Sequence, residues 1–250
     1  MRIARIALLG ALLGALVQVA PARAEVAAQD WSFNGPFGTY DRGSLQRGYQ
    51  IYKEVCSNCH SLQYLSYRNL EDIGLSEAQV KAIAASITVP GDLDDNGNPT
   101  ERPGLPSDHF KSPFPNDKAA RAANNGALPP DQSSLVNARE DGPDYVYAVL
   151  TGYVNPPAGY VVPDGMNYNA AFPGNNIAMP QPLSDDQVTY TDGTKATLQQ
   201  EAHDVTTFLT WAANPEMEQR KRIGVHVMIF LLLLTGVVYT LKRKIWADVH

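Results

Sequence analysis

Apolar residues recur three or four positions apart in several stretches of this chain, which is the spacing of a helix with one buried face. Leu45, Tyr49, Tyr52 and Val55 follow this rule and predict a helix over residues 44–56. The same spacing predicts three further helices before the C-terminal part of the chain. These cover residues 76–86, 143–153 and 198–213.

Residues that cap helices stand at several of the predicted helix starts. Ser44 and Ser76 each carry a hydroxyl oxygen that can accept a hydrogen bond from the first helical turn. The sequence Thr-Leu-Gln-Gln at 197–200 matches a capping box, in which each end of the motif bonds the backbone of the other. Asn-Pro-Glu at 214–216 predicts the start of a last helix, because proline suits the first helical position and acid suits the first turn.

Long segments rich in proline and glycine separate these helices, at residues 88–117, 124–134 and 153–185. Structureless loops of this length are uncommon inside a compact domain. A large flat cofactor would supply the missing core, because loops can wrap its edges and cover its faces. The pattern therefore predicts a mostly α fold with long loops around a cofactor.

The first of two uninterrupted apolar stretches covers residues 6–20. It follows Arg2 and Arg5 and precedes Ala-Arg-Ala at 22–24, an order typical of a cleavable secretory signal over residues 1–24. The alternative is an N-terminal membrane helix, but about 15 apolar residues fall short of the roughly 20 that a span requires. We therefore expect residues 25–214 to be an exported domain.

The second apolar stretch, residues 223–241, carries no charge. At about 1.5 Å per residue it extends over about 28 Å, close to the ~30 Å thickness of a bilayer's hydrocarbon core. Lys-Arg-Lys at 242–244 and Trp246 are typical of the cytoplasmic end of a span. A buried core helix is the alternative. We expect an anchor helix over residues 215–244, a cytoplasmic tail at 245–250, and the preceding domain on the periplasmic side of a bacterial inner membrane.

Charge is unevenly distributed along the chain. The whole sequence has a formal net charge of −6, but residues 25–215 hold 11 Lys and Arg against 23 Asp and Glu, a net charge of −12. Such a domain repels nucleic acid and attracts cationic partners. The alternative is that the acidic residues serve solubility alone.

The pattern Cys-Ser-Asn-Cys-His at 56–60 is the main candidate for chemistry, since C-x-x-C-H is a site of c-type haem attachment. Each thiol can add to one vinyl group of the porphyrin, and the adjoining His60 can then ligate the iron. A zinc site would require more ligands, whereas Cys56 and Cys59 are the only cysteines in the sequence. A redox dithiol stays possible, but the thioredoxin-like strand and helix pattern that it favours is not apparent.

An electron-carrying haem requires a second axial ligand, and methionine is common in c-type carriers because it raises the potential. Met217 and Met228 lie beside or within the predicted span, which leaves Met166 and Met179. Met179 precedes a proline in an extended apolar segment, while Met166 follows Asp-Gly in a predicted surface turn, and this favours Met179. The rival ligands are His109 and His203.

Five segments resemble the cytochrome c1 family, in the family's order and over nearly all of the chain between the signal and the C-terminus. They are Cys-Ser-Asn-Cys-His-Ser-Leu at 56–62, Ala-Ala-Arg-Ala-Ala-Asn-Asn-Gly-Ala-Leu-Pro-Pro-Asp at 119–131, Asp-Tyr-Val-Tyr at 144–147, Leu-Thr-Gly-Tyr at 150–153 and Phe-Pro-Gly-Asn-Asn-Ile-Ala-Met-Pro at 172–180. The resemblance implies one covalently bound haem c with His60 and Met179 as axial ligands.

The same resemblance implies a wider haem pocket. Arg139 matches the family's arginine beside a haem propionate, where a charge-assisted pair is expected, although a surface arginine is the alternative. Tyr145 matches a pocket tyrosine, and Asn124 and Pro130 belong to the matching pocket loop. Some bacterial members carry an extra cysteine pair near the methionine loop. This sequence lacks it, so we expect Val154 and its neighbours to hold that loop by packing.

The function implied is electron transfer in the cytochrome bc1 complex, without a catalytic site in this chain. A Rieske iron–sulfur protein would donate one electron, a soluble basic cytochrome c would collect it, and cytochrome b would be a further partner. The alternatives are another membrane-anchored c-type carrier or oxidase subunit, and an open-site haem sensor or peroxidase. A set of acids is predicted to be exposed and to steer the soluble acceptor: Asp92, Asp94, Asp95 and Glu101.

Overall fold

The computed structural model describes residues 26–248, so the signal predicted at residues 1–24 lies outside the described part. Most of its regular structure is helical. The helices are α1 Arg42–Glu54, α2 Glu77–Ala85, α3 Asp117–Ala123, α4 Gly142–Thr151, α5 Leu198–Ala213 and α6 Met217–Ile245. Short 3-10 segments occupy Cys56–Asn58 and Tyr67–Ile73. The strands are β1 Thr88–Leu93 paired with β2 Pro99–Pro103, and β3 Asn167–Tyr168 paired with β4 Asn176–Ile177, both antiparallel. The predicted fold class, mostly α with long loops, is confirmed.

Helix α1 exists as predicted but begins earlier than the apolar spacing suggested. Asp41 is the N-cap, and its carboxylate accepts a hydrogen bond from the backbone N–H of Ser44 at 2.6 Å. The prediction of Ser44 as the cap is therefore wrong, because Asp41 caps the helix and Ser44 lies within its first turn. Apolar periodicity marks only the buried face and does not show where the cap lies.

Helices α1 and α5 cross closely at Gly48. A Cβ atom at position 48 would lie 2.1 Å from the carbonyl oxygen of Asp204, so only glycine permits this approach. Tyr49 and Tyr52 of α1 then pack against Phe208 of α5, with ring centroids 5.7 and 5.8 Å apart. This aromatic crossing is the centre of the core. The largest fully buried side chains of the core are Trp211, Tyr52, Phe208, Leu45, Ile51, Leu62, Leu70 and Ile73.

A buried ion pair ties the same two helices together. Arg47 of α1 donates to both carboxylate oxygens of Asp204, at 2.7 and 3.0 Å, and to Asp192 at 2.8 Å. Asp204 is fully buried, and its second partner Gln200 donates at 3.0 Å. That bond uses the Gln200 side chain that the predicted capping box required. Only half of the box forms, with Thr197 accepting from the N–H of Gln200 at 3.2 Å.

The cap predicted for α2 is confirmed in full. Ser76 accepts from the N–H of Gln79 at 3.3 Å, and the Gln79 side chain accepts from the N–H of Ser76 at 2.8 Å. Helix α4 is also confirmed, at Gly142–Thr151 rather than 143–153. The 3-10 segment Tyr67–Ile73, which precedes α2, was not predicted.

The predicted loop over 88–117 is wrong in its first part, because β1 and β2 form a hairpin there. Three prolines and a glycine in these strands hid the pairing from the sequence, since such residues are depleted in strands. The later segment, 153–185, is irregular as predicted apart from the two-residue strands β3 and β4.

Helix α6 begins at Met217, with Glu216 at its cap position, and so starts two residues later than the Asn-Pro-Glu motif predicted. In the described part of the chain it is the one helix long and apolar enough to cross a membrane. Its apolar side chains from Ile223 to Leu241 are largely exposed, which excludes the alternative of a buried core helix. Within residues 26–248, α6 is therefore the helix that fits a C-terminal membrane anchor.

Candidate functional site

The segment 56–60 follows α1 almost without a break and is held by its own backbone and side chains. The N–H groups of Cys59 and His60 both donate to the carbonyl of Cys56, at 3.1 and 2.9 Å. Ser57 donates to the carbonyl of Lys53 at 2.8 Å. The Asn58 amide donates to the carbonyls of Glu54 and Val55 in the same way. The two residues between the cysteines therefore satisfy the end of α1 and fix the cysteines relative to it.

Cys56 is half-buried and Cys59 is exposed, and neither forms a disulfide within the described residues. Burial, and secondarily the nearby Cys59, raises the pKa of Cys56 to about 12. A reactive redox dithiol has the opposite property, because its nucleophilic thiol has a lowered pKa. The raised pKa of Cys56 therefore argues against the redox alternative.

The ring of His60 is oriented by one hydrogen bond. Its Nδ1 lies 2.8 Å from the carbonyl oxygen of Pro130, 70 residues further along the chain. A carbonyl oxygen can only accept, so Nδ1 carries the proton and Nε2 keeps a free lone pair. Burial also lowers the pKa of His60, which keeps the ring neutral. A neutral imidazole with its second nitrogen bonded to a carbonyl is the usual form of a metal-ligating histidine.

Asp131 joins the attachment segment to the loop that carries Pro130. Its carboxylate accepts from the Ser61 hydroxyl at 2.6 Å and from the N–H groups of Gln63 and Ser133 at 3.0 and 2.9 Å. Burial opposes ionisation, but these hydrogen bonds hold the pKa of Asp131 below its ordinary value. No role was predicted for Asp131 from the sequence. The available signal was Asp-Gln-Ser after two prolines, a sequence typical of an aspartate turn.

The four residues predicted around the haem occupy different settings. Pro130 contacts His60 through its carbonyl, as described above. Asn124 ends α3, and its side chain donates to the carbonyl of Ala120 at 2.7 Å. Arg139 is exposed just before α4 and donates to the carbonyl of Ala138 at 3.2 Å. Tyr145 is half-buried in α4. Roles for Asn124, Arg139 and Tyr145 at a haem remain predictions.

Met179 lies two residues after β4 and is half-buried. Two side chains hold its carbonyl oxygen: the Tyr153 hydroxyl donates at 3.0 Å and the Asn167 amide at 3.3 Å. Met166 is 42% exposed, in a turn closed by its N–H to the carbonyl of Pro163 at 3.1 Å. The structure thus fixes the backbone at Met179 and leaves Met166 on the surface.

The two rival histidines are placed differently again. His109 is exposed and bridges to Ser66 through the backbone. His203 stacks on Trp31 with ring centroids 4.7 Å apart.

A buried asparagine organises the segment before Met179. The side chain of Asn169 donates to the carbonyl of Val149 at 2.8 Å. Its oxygen accepts from the N–H groups of Ala171 and Phe172 at 3.0 and 3.1 Å. Asn169 is fully buried and was missed by sequence reasoning, because one asparagine in an asparagine-rich segment carries no distinguishing pattern. The loop is held mainly by these polar bonds, while Val154, expected to pack it, is 53% exposed.

The predicted acids lie in and around the β1–β2 hairpin. Asp92, Asp94, Asp95 and Glu101 are all exposed, as expected. Asp94 has a structural role as well, since it accepts from the N–H groups of Asn96 and Asn98 at the tip of the hairpin.

The C-x-x-C-H segment, the neutral His60 and the membrane helix define a membrane-anchored c-type cytochrome. A model of the cytochrome C1 family matches residues 31–249, and the chain therefore belongs to that family. Haem c is its cofactor, and electron transfer is its function.

Several relatives support this assignment. The chain is 50% identical over 242 residues to the cytochrome b/c1 of Bradyrhizobium diazoefficiens, a match covering 88% of this chain and 35% of that protein. It is 50% identical over 220 residues to the mitochondrial cytochrome c1 haem protein of Kluyveromyces lactis, covering 88% and 75% respectively. It is 48% identical over 237 residues to the cytochrome c1 of Rhodospirillum rubrum, covering 88% and 87%. The chain therefore spans about a third of the first relative and most of the other two.

Proposed function

We propose that this chain is the haem c subunit of a cytochrome bc1 complex, relaying single electrons from a Rieske iron–sulfur protein to a soluble cytochrome c. The observation that carries the proposal is the bond from His60 Nδ1 to the Pro130 carbonyl, at 2.8 Å, directly after a C-x-x-C pair. It prepares Nε2 as an iron ligand in a chain that belongs to the cytochrome c1 family.

Four residues would hold the cofactor. Cys56 and Cys59 would form the thioether bonds, and His60 and Met179 would be the axial ligands. When bound, the haem supplies one-electron oxidation and reduction at its iron. The protein's own residues set the conditions for this chemistry: Pro130 fixes the tautomer of His60, and Tyr153 fixes the backbone at Met179.

Ligation from both sides favours electron relay over the open-site alternative. A sensor or peroxidase needs a free coordination position, whereas Tyr153 and Asn167 hold the Met179 backbone in one conformation. The proposed machinery therefore transfers electrons and needs no general acid, base or nucleophile from this chain.

The proposed partners follow from charge and family. Cytochrome b and the Rieske protein would assemble with the chain in the membrane, through or beside α6. The net charge of −12 over residues 25–215 suits a basic soluble cytochrome c and disfavours nucleic acid. We place residues 25–214 on the periplasmic side of a bacterial inner membrane, with residues 215–244 as the anchor helix and 245–250 as the cytoplasmic tail.

The ligand assignment is tested by the pair Met179→Leu and Met166→Leu. We expect Met179→Leu to keep covalent haem but lower the midpoint potential by on the order of 0.1 V or more, since axial ligands set haem potentials over about 0.8 V. The control Met166→Leu should leave the potential unchanged. Redox titration of both variants measures the midpoint potential. A lowered potential in the Met166 variant alone would show that Met166, and not Met179, is the axial ligand.

Covalent attachment and partners are tested separately. Cys56→Ala and Cys59→Ala should each impair covalent haem attachment, read as haem staining of the denatured protein. Purification of the full chain in mild detergent should recover cytochrome b and a Rieske protein. Recovery of oxidase subunits would favour the alternative of another membrane-anchored carrier.

A further inference from the structure

The joint between the soluble domain and the anchor helix is short and extensively bonded. Only residues 214–216 separate α5 from α6. Asn214 and Asn137 exchange side-chain hydrogen bonds, at 2.9 and 3.3 Å, and Asn137 also donates to the carbonyl of Ala213 at 3.1 Å. The link is therefore tied to the domain on both sides of the end of α5.

The first turn of α6 is bonded to the segment 33–42, which we call the strap. Glu218 accepts two hydrogen bonds from the Arg42 guanidinium, at 3.1 and 2.7 Å, and a third from the N–H of Tyr40 at 2.7 Å. A forked arginine–carboxylate pair constrains direction as well as distance. Met217, the neighbour of Glu218, packs against the hydrophobic core.

One turn further along α6, Lys221 bonds to the other end of the strap. Its ammonium group donates to the carbonyls of Phe33 and Gly38, at 2.5 and 3.2 Å. Both carbonyls point to one place because the strap folds tightly there. A Cβ atom at Gly38 would lie 2.0 Å from the carbonyl oxygen of Asn34, so the turn requires glycine.

The strap also bonds to the end of α5. The hydroxyl of Tyr40 lies 3.2 Å from the carbonyl oxygen of Thr210 and 3.3 Å from that of Asn214. Its ring packs 5.3 Å from that of Phe33, which in turn stacks 5.4 Å from Trp31 in the core. The strap thus connects the core, the end of α5 and the first two turns of α6.

We propose that the strap is a clamp that holds the haem domain at a fixed tilt above the membrane, and that Arg42, Glu218 and Lys221 are positioning residues for electron exchange with a membrane-bound donor. A domain on one unsupported helix would swivel about its link. Glu218 and Lys221 lie three residues apart and face the same side of α6, so two bonded turns resist both bending and rotation. The fixed tilt rests on the bonds alone, whereas the donor rests on the proposed function.

The tilt is measured by electron paramagnetic resonance of the ferric haem in oriented bilayers, because the g values depend on the angle between the ring normal and the field. The sample is the haem-loaded full chain reconstituted alone in phosphatidylcholine. We expect an angle-dependent spectrum from the natural chain. The double variant Glu218→Ala with Lys221→Ala should lose most of that angle dependence.

The matched control is Glu77→Gln, which removes the exposed pair of Glu77 with Lys81 on α2, at 2.6 Å, far from the strap in sequence. It should keep the full angle dependence. Lys221→Met is a milder variant that removes one arm of the clamp and should show an intermediate loss. An unchanged haem absorption spectrum shows that each variant has folded. Full angle dependence in the folded double or single variant would overturn the clamp.

Rates separate the clamp from the proposed function. In membranes that contain the quinol-reduced donor, the double variant should accept electrons roughly tenfold more slowly if the swivelling domain occupies the competent tilt for about a tenth of the time. Its exchange with soluble cytochrome c should not change, because that partner diffuses to it. Slowing of both reactions equally would overturn the positioning role. If the natural chain takes no electrons from the donor, the proposed function fails while the tilt result still stands.

Discussion

Two regions of this molecule hold the two proposed axial ligands by different means. His60 follows a region in which α1 and α5 cross through aromatic and aliphatic side chains, with Leu45, Ile51 and Phe208 fully buried. Met179 lies in the region from α4 to β4, where a buried asparagine and a tyrosine hydroxyl bond to backbone groups. The first region is stabilised by its own hydrophobic core. The second is held mainly by polar bonds and by the haem that is proposed to lie beside it.

The difference has a consequence for stability. Apolar burial is shared among many contacts and is lost cooperatively, while each polar bond in a loop can be lost separately. We therefore expect the methionine side of the site to open at lower free energy than the histidine side. Three predictions test this contrast and a fourth tests the charged surface outside both regions, from the largest expected effect to the smallest.

The largest effect is expected at the helix crossing. Gly48→Ala places a Cβ atom 2.1 Å from the carbonyl oxygen of Asp204, which forces α1 and α5 apart. We expect the free energy of unfolding to fall by on the order of 3 kcal/mol or more, with His60 and Met179 ligation lost together. Urea unfolding followed by haem absorption and tryptophan fluorescence measures this.

The control for this variant is Gly43→Ala, in the first turn of the same helix. A Cβ atom there would lie 3.2 Å from side-chain atoms of Arg47 and of the N-cap Asp41, which must shift by a few tenths of an ångström, and it would not contact α5. It should change the free energy of unfolding by no more than about 1 kcal/mol, because helix propensity offsets this crowding. Equal effects at positions 43 and 48 would contradict the close crossing.

The second prediction concerns the loop region. Asn169→Ala removes the bonds to Val149, Ala171 and Phe172, which leaves a buried carbonyl and two partly buried N–H groups without these partners. We expect a local cost of about 2–3 kcal/mol. The loss should appear as weakened methionine ligation in the ferric absorption spectrum before any change in tryptophan fluorescence. Asn155→Ala, at an exposed position, is the control. Simultaneous loss of both signals in Asn169→Ala would show that the two regions unfold as one cooperative unit, against this prediction.

The third prediction concerns pH and the helix-packed region. Glu201 of α5 is fully buried; one oxygen accepts from the N–H of Val188 at 3.1 Å and the other has no partner. Burial raises the pKa of Glu201 from 4.5 to about 7. The folded protein therefore binds more protons than the unfolded chain between these two values, so this group makes stability fall as the pH rises from about 4.5 to 7.

Glu201→Gln removes that titration and keeps an acceptor for Val188. We expect the variant to be more stable than the natural chain at pH 8 by about 2 kcal/mol, with little difference near pH 4.5. Urea unfolding at several pH values measures the slope. The exposed Glu54→Gln serves as the control and should keep the natural slope. A slope unchanged by Glu201→Gln would place the titrating group elsewhere.

The smallest effect is expected from the acids of the hairpin and concerns rates only. Their replacement by Asn or Gln should slow the oxidation of the reduced domain by a basic cytochrome c at low salt, because long-range charge mainly raises association rates. The residues are Asp92, Asp94, Asp95 and Glu101. The difference should vanish towards 1 M salt, where the Debye length is about 3 Å. Stopped-flow rates across ionic strength test this, and a salt slope unaffected by the substitutions would move the docking site elsewhere.

The haem attachment segment, the membrane helix and the cap of α2 could be predicted from the sequence alone, because the signals for them are local. The C-x-x-C-H segment, the uncharged stretch 223–241 and the cap at Ser76 each lie within a few contiguous residues. Their spacing therefore states the chemistry or the secondary structure directly. The residues by themselves favoured Met179, and the resemblance to one family then strengthened that preference and added the pocket residues.

Other features were decided only by the tertiary structure. The bond from His60 to Pro130 joins residues 70 apart, and that from Tyr40 to Glu218 joins residues 178 apart. Asn169 and Asp131 bond the backbone of segments that the fold brings beside them. A polar side chain in a loop has no periodicity, and its partner depends on how distant segments pack. The periodic pattern of buried residues can be read from the sequence, whereas hydrogen bonds between distant residues form only when the chain folds.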